Sequence, residues 1–484
     1  MFFILIFVQM FSAFALEFSP CHPKGMGMQV NCASVPVSIQ TGQLELPLIY
    51  IPAVKNTKRS PIFLLAGGPG QAATEIGPLI FQNMHTLHTN HDILFLDQRG
   101  TGKTGLSCSE GEEKDVFDNF SSSIEEQQQE LEQCLQKLSF DVVDYQTKKA
   151  AEDLELVRKE MGFSKIVLYG ISYGTVLAQT YATLYPNHVA ALVLDGVVDV
   201  YHPMGQYVEE DANRTWQNMI EICQQDGNCA KLEPQSNFET IFGNLPQDIT
   251  IRHPRTFEQH TFVMQREGFL SMLRMLLYST ETIELLPLAL KQASEGDWGH
   301  LITLSLQGGE LDVSTELNLS IFCSESFAFW DTDGSLLKDS EPNLFDPQNP
   351  FQNQVRPFMG QMCQKWPRYD YQPFVASKEK IDIPILLFHG ELDPITPAHR
   401  SEGMLERYTN IQSIIVPNKG HNVALTDCGT QMMVDFIQKY DLGDMSVEIP
   451  NCYQQRSLEF FHTVAGHIGV PLEEKEQELD REQP

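Results

Sequence analysis

From residue 27 to 51 hydrophobic and polar positions alternate as they do in half-buried strands, most clearly along Leu44-Glu45-Leu46-Pro47-Leu48-Ile49-Tyr50-Ile51. The pattern then changes. Residues 61–65, 92–97, 165–169 and 189–194 form short, almost wholly apolar runs, and the first three stop at glycine-containing loops. Runs of this kind suit a parallel sheet buried on both faces. Leu154, Val157 and Met161 share one stripe of a predicted helix over 146–162, and another helix follows Gly174 as far as Tyr185-Pro186. Strand and helix alternate, which predicts right-handed crossovers and an α/β fold. Near residue 200 the regularity stops, and the chain turns helical and irregular until about 380, with an apolar run at Phe269–Leu277. Strand spacing resumes at Pro384–Phe388 and Ile411–Val416, with helices predicted over about 397–408 and 424–439. The reading is a core in two pieces, 17–199 and 381–470, a helical lid at 200–380, and an acidic tail at 471–484.

At 484 residues the chain is long enough for two or three domains of ~100–200 residues, or for one core with a large insertion. Acidic residues outnumber basic ones by 64 to 33, a net charge of -31. Such a surface repels phosphate backbones and anionic lipid heads, which argues against nucleic-acid binding, and it attracts cations. Residues 1–16 carry no charged side chain, and Ala13-Phe14-Ala15 has the form of a signal-peptidase site. The segment is shorter than the ~20 residues of a membrane span, so a cleaved signal peptide and an exported chain, free of the membrane after cleavage, are expected. The absence of Lys or Arg before the apolar stretch departs from the usual leader and leaves an uncleaved anchor as the alternative. Ten cysteines with no CxxC pair fit disulfides better than zinc. Neighbour pairing would join 21–32, 108–134, 223–229, 323–363 and 428–452. Sequons stand at Asn119, Asn213 and Asn318, and matter only in a host that glycosylates them.

The chemistry centres on Gly170-Ile171-Ser172-Tyr173-Gly174, placed between an apolar strand and a helix. At such a turn the serine takes a strained conformation that exposes its hydroxyl above the sheet. A serine needs a base, and the expected chain order is Ser, then an acid, then His. Asp393, on the loop after the 384–388 strand, is the candidate acid, with Glu391 as runner-up. His421, after the 411–416 strand, is the candidate base, with His389 as runner-up. The amides of Tyr173 and Gly68 are the candidate oxyanion donors.

These motifs give the chain its resemblance. Together with Asp97-Gln98-Arg99-Gly100-Thr101-Gly102, Leu194-Asp195-Gly196-Val197-Val198 and Gly390-Glu391-Leu392-Asp393-Pro394-Ile395-Thr396-Pro397, it resembles the α/β-hydrolase fold. It looks most like the proline iminopeptidase family (serine peptidase family S33) and its tripeptidyl-aminopeptidase-like branch. The resemblance covers about 45–200 and 380–455, and weakens over 200–380. It implies an α/β-hydrolase fold with a mostly parallel sheet, a large helical lid before the last strands, and no cofactor or metal. Cys428 and Cys452 look like the branch's C-terminal pair. The resemblance also implies an acidic lid residue that binds the α-ammonium of a peptide substrate with a free N-terminus. Glu325, in Ile321-Phe322-Cys323-Ser324-Glu325, matches best, although Ser326 stands where relatives often carry a second acid.

Two other features are set aside. Gly102-Lys103-Thr104 looks like the end of a phosphate loop, but Asp97 occupies the position of the first glycine. His85, His88 and His91 have suggestive spacing without a carboxylate or cysteine to complete a metal site, and are expected at an exposed helix end. Three functions remain: a secreted serine aminopeptidase of proline or tripeptidyl type, a carboxylesterase with the same triad, or a silent hydrolase fold that binds protein. Oligomeric state is not legible.

Overall fold

The computed structural model describes residues 16–106, 117–138, 140–253, 256–307, 313–330, 346–352, 355–373, 380–440, 446–447, 450 and 458–461. Residues 1–15 and the 471–484 tail, and with them the expected signal peptide, lie outside the described residues. Nine strands form the main sheet: β1 (Ser19–Cys21), β2 (Val30–Ile39), β3 (Gly42–Ile51), β4 (Ile62–Leu65), β5 (Ile93–Leu96), β6 (Ile166–Ile171), β7 (Val189–Asp195), and, after the insertion, β10 (Ile385–Gly390) and β11 (Ile411–Val416). Their order is β1-β2-β3-β5-β4-β6-β7-β10-β11. The alternating N-terminal strands pair antiparallel, whereas all pairs from β5 to β11 are parallel.

Each parallel strand feeds two hydrophobic layers, because successive side chains point to opposite faces. In β4, Ile62 and Leu64 join Ala73, Phe436 and Ile437 on one face, and Phe63 and Leu65 join Leu154, Val157 and Ala178 on the other. The helices Thr147–Glu160 and Tyr173–Leu184 cover the second face, as the 3.6-residue spacing predicts. Arg99 locks one strand end to that layer through a bidentate pair with Asp153, Nε–Oδ2 2.8 Å and Nη2–Oδ1 2.7 Å.

Between β7 and β10 lies a separate core built on Trp216, Phe238, Phe269, Leu286 and Leu301. It is mostly helical but contains a hairpin, β8 (Gln247–Arg252) with β9 (Gln259–Met264). Ile249 and Ile251 alternate with exposed neighbours, as do Phe262 and Met264, so a period-2 signal was present in the irregular stretch. The insertion also recruits an earlier segment. Phe117 and Phe120 pack into its core, and Leu131 packs with Cys323, Trp330 and Trp366. Residues 117–138 therefore cover the insertion, not the sheet.

Two further expectations are corrected. The helix expected over 397–408 is split at Gly403 into a tight turn, Ala398–Ser401, and one helical turn, Met404–Arg407. Each half has its own ion pair, Arg400 to Asp211 and Arg407 to Asp199. Of the histidine trio only His85 is at an exposed helix end: His88 and His91 are 7% and 1% exposed, and bond the carbonyls of Pro52 and Ser60.

Disulfides join Cys21–Cys32, Cys223–Cys229 and Cys323–Cys363. Cys134 and Cys428 are also disulfide-bonded, whereas Cys108 and Cys452 lie outside the described residues. Asn213 is buried with its Oδ1 accepting the Phe351 N–H, and Asn318 donates to Pro69 O, so both sequon side chains are already engaged. Among the described residues no helix is long and apolar enough to cross a membrane.

Candidate active site

Ser172 sits where β6 turns into the helix Tyr173–Leu184, at φ +55° and ψ −122°. A non-glycine residue in this region costs about 1–3 kcal/mol and persists only where its surroundings impose it. Here they do. Ile171 lies opposite Asp195 in the sheet, and the Ser172 N–H donates to Asp195 O at 2.8 Å.

The loop Gly67-Gly68-Pro69-Gly70 runs against the serine: a methyl group added at Gly67 would lie 3.1 Å from Ser172 Cβ. Among the described residues the Gly68 and Tyr173 N–H groups have no partner. The far side of the loop is held by the insertion, through Asn318 Nδ2 to Pro69 O at 3.1 Å and Ser314 N–H to Gly70 O at 3.1 Å.

His421 and Asp393 are brought together. The His421 Nδ1–H donates to Asp393 Oδ2 at 2.7 Å, with side chains 4% and 0% exposed. That bond sets the tautomer and leaves Nε2 as the free acceptor. Asp393 also receives the N–H groups of Ile395 and Thr396, each at 2.8 Å, and the Thr396 hydroxyl at 2.7 Å. Burial pushes the Asp393 carboxyl up, but the His421 charge and these hydrogen bonds outweigh it and hold the group well below the usual carboxylate range. Burial pushes His421 down, and Asp393 and Asp195 more than reverse this, leaving its pKa above the ordinary histidine value. The imidazole rests on Gly196, where a methyl group would meet His421 Cε1 at 2.6 Å. Ser172 and His421 thus both lie against the dipeptide Asp195-Gly196.

The runners-up are held by other partners. Glu391 accepts the Asn418 N–H at 2.9 Å, and His389 is fully buried beside Ser401 Oγ at 3.1 Å, with its pKa pushed down to about 4 by burial.

Several residues that organise the site carry no role in the sequence reading. The Asp195 carboxylate accepts the N–H groups of Val423 and Ala424 at 2.8 Å each, which fixes the loop just after His421. Tyr278, from the insertion, accepts the His421 N–H at 2.7 Å and sets its ring edge-on to the imidazole at 5.5 Å. Thr280 bridges Asn418 O and the Gly420 N–H. Asp195 stands in a quoted motif, but Tyr278 and Thr280 have no local signal, because their partners lie about 140 residues away.

Glu325 lies at the end of the helix Thr315–Glu325, 8% exposed. Its Oε1 accepts the Thr147 N–H at 2.9 Å and the Tyr369 hydroxyl, and its Oε2 accepts the Thr147 hydroxyl at 2.6 Å. Thr147 Oγ1 in turn lies 2.7 Å from the hydroxyl of Tyr173, the residue after Ser172. Burial raises the Glu325 pKa against the lowering effect of these bonds.

With this geometry established, known proteins place the chain. A family model described as the alpha/beta hydrolase fold matches residues 60–289, and one described as TAP-like protein matches 349–445. YuaR of Escherichia coli, named a hydrolase, is 20% identical over 425 residues, covering 84% of this chain and 81% of that one. Serine protease Hip1 of Mycobacterium tuberculosis is 25% identical over 207 residues, covering 38% of this chain and 40% of that one. Tripeptidyl aminopeptidase of Streptomyces lividans is 26% identical over 204 residues, covering 35% and 38%. The match therefore spans less than half the length of the two peptidases. The chain has the α/β-hydrolase fold with a TAP-like region towards its C-terminal end, and the two peptidases it resembles are S33-type α/β hydrolases.

Proposed function

We propose that the protein is an exported serine aminopeptidase that cleaves peptide bonds near a free N-terminus, releasing a proline-type or tripeptidyl fragment. Ser172 is the nucleophile, His421 the general base, Asp393 its orienting acid, and the Gly68 and Tyr173 amides the oxyanion hole. The single observation that carries this reading is the 2.7 Å bond from His421 to a fully buried Asp393, beside a serine at a positive-φ strand-to-helix turn. The disulfides support export, since such bonds persist in oxidising compartments.

His421 Nε2 takes the Ser172 proton as Oγ attacks the scissile carbonyl, and Asp393 stabilises the imidazolium that forms. The two amides donate to the developing oxyanion, each worth about 3–4 kcal/mol in such sites. Collapse of the intermediate passes the proton to the leaving amine and leaves an acyl-enzyme, which water hydrolyses by the same steps in reverse. The core pieces 17–199 and 381–470 carry the chemistry, and the 200–380 insertion sets substrate choice. Glu325 supplies the negative charge that attracts the substrate α-ammonium, and among the described residues its Oε2 accepts one hydrogen bond and keeps a second acceptor position.

Peptide anilides with free and acetylated N-termini, beside small neutral esters, test the reading. Turnover of free-amine anilides that acetylation abolishes supports it. Ester turnover with no anilide cleavage makes the protein an esterase, and no turnover of either, with no fluorophosphonate labelling, makes it a binding protein.

A further inference from the structure

The acid loop 391–393 divides its backbone hydrogen bonds between two parts of the molecule. Its N–H groups are satisfied by the core: Glu391 to Val416 O at 3.0 Å, Leu392 to Lys419 O at 2.8 Å, and Asp393 to Gly390 O at 3.2 Å. Its carbonyls are satisfied by two adjacent side chains of the insertion, on the helix Val208–Gln225. Arg214 Nη1 donates to Glu391 O at 3.3 Å and Nη2 to Asp393 O at 2.9 Å. Thr215 Oγ1 donates to Leu392 O between them at 3.2 Å. One turn earlier, Asp211 takes Arg400 with both oxygens, each at 3.1 Å, so the same helix also grips the segment that follows the loop.

We infer that Arg214 and Thr215 are positioning residues for Asp393, which makes one helix of the insertion part of the triad's support. The inference rests on the Ser172-His421-Asp393 reading. A buried carbonyl left without a donor is costly, so losing Arg214 or Thr215 lets the loop move to find a new partner. Such a movement displaces the Asp393 carboxylate from His421 Nδ1, and misplacements of about 1 Å cost on the order of 100-fold in rate. The groups facing His421 are Asp393, Asp195, Thr396 and Tyr278. His389 faces Asp393 from β10, and Asp211 and His399 lie near the Arg214 guanidinium.

The test is the second-order rate of fluorophosphonate labelling against pH for the wild type, Arg214→Met, Arg214→Lys, Thr215→Val and Ser172→Ala, with kcat and KM on a small neutral ester. Arg214→Met should label about 10- to 100-fold more slowly, lower kcat with little change in KM, and move its acid limb to lower pH. Removing a positive charge alone would move that limb upward, so the direction separates positioning from electrostatics. Arg214→Lys should recover part of the rate by restoring one donor. A wild-type rate and limb in Arg214→Met, or a lowered thermal midpoint with an unmoved limb, overturns the inference. Should Arg214→Met not fold, Thr215→Val, which keeps the shape and removes one donor, must show the same downward limb shift or the inference falls. Wild-type labelling of Ser172→Ala overturns the triad reading itself.

Discussion

Asp195 holds Ser172 and the histidine loop at once: its carbonyl accepts the Ser172 N–H at 2.8 Å, and its carboxylate accepts the N–H groups of Val423 and Ala424. Asp195→Asn keeps the size but turns an NH2 group toward one of the two donors. We expect the loop to shift and kcat to fall about 10- to 100-fold on a scale set by small misplacements. Burial raises the Asp195 pKa to about 6, so the native state binds its proton more tightly than the unfolded chain. Its contribution to stability is present below the unfolded value of about 3.9 and is lost as pH rises through about 6. Urea melts at pH 4 and pH 7 should show a smaller loss over that range in Asp195→Asn than in the wild type. Parallel slopes would remove the electrostatic part of this account.

Ser172→Ala should abolish hydrolysis, with a loss on the order of 10⁶ in kcat, and leave the thermal midpoint close to that of the wild type. Asp393→Asn should cost about 10⁴, because an amide favours the wrong imidazole tautomer. The check is kcat on purified variants with matched circular dichroism, plus peptide mapping of a fluorophosphonate adduct on Ser172. An adduct on another serine would relocate the nucleophile.

What the sequence reveals about this protein follows from the range of the interactions involved. β4, β6 and β7 are readable because burial on both faces leaves an unbroken apolar run whatever the partner strands are. The positions of Ser172, Asp393 and His421 are readable because each follows a strand end. The recruitment of residues 117–138 to the insertion is not, since an amphipathic stripe declares a buried face and not what buries it. Nor are Arg214 and Asp195, whose partners lie 177–179 and 228–229 residues away. Buried polar networks are a property of assembled loops, and single-chain patterning does not encode them.

The labelling rate should rise with pH as His421 loses its proton, with a midpoint above the ordinary histidine value of about 6.5. Fluorophosphonate labelling between pH 5 and 9 measures this without titrating a substrate amine. The stability contribution of His421 runs the other way: it is full below about 6.5 and is lost as pH rises through the raised native value. Activity and this part of stability should therefore trade against one another. A midpoint at or below 6.5 would mean that Asp393 does not act on the imidazole.

Cys323–Cys363 closes a 40-residue separation, against 11 for Cys21–Cys32 and 6 for Cys223–Cys229. Chain-entropy scaling gives about 4 kcal/mol for the longest loop and about 2 kcal/mol for the shortest. The double variant Cys323→Ser with Cys363→Ser should lose more stability in urea than Cys223→Ser with Cys229→Ser. Equal losses would point to packing, not loop closure, as the source. Cys323 is also two residues from Glu325, so the first variant should weaken free-amine substrates beyond its stability cost.

Glu325 is the residue on which amine recognition and plain architecture compete. Its carboxylate ties the Thr315–Glu325 helix to the first residue of Thr147–Glu160, and a chain of hydroxyls runs from it through Thr147 to Tyr173. Glu325→Gln keeps two acceptor sites on its carbonyl but removes the charge. If that charge attracts the substrate α-ammonium, a contact worth about 1.5–3 kcal/mol is lost, and kcat/KM on free-amine anilides falls about 10- to 150-fold. Turnover of a small neutral ester then stays within about twofold, because the Thr147 N–H can still donate to the amide carbonyl while the Thr147 hydroxyl turns to accept from its NH2 group. If Glu325 is only a tie between helices, the two substrates lose rate together and the thermal midpoint drops with them. The ratio of the two kcat/KM values decides: a ratio unchanged from the wild type moves the amine site to another acidic residue of the insertion.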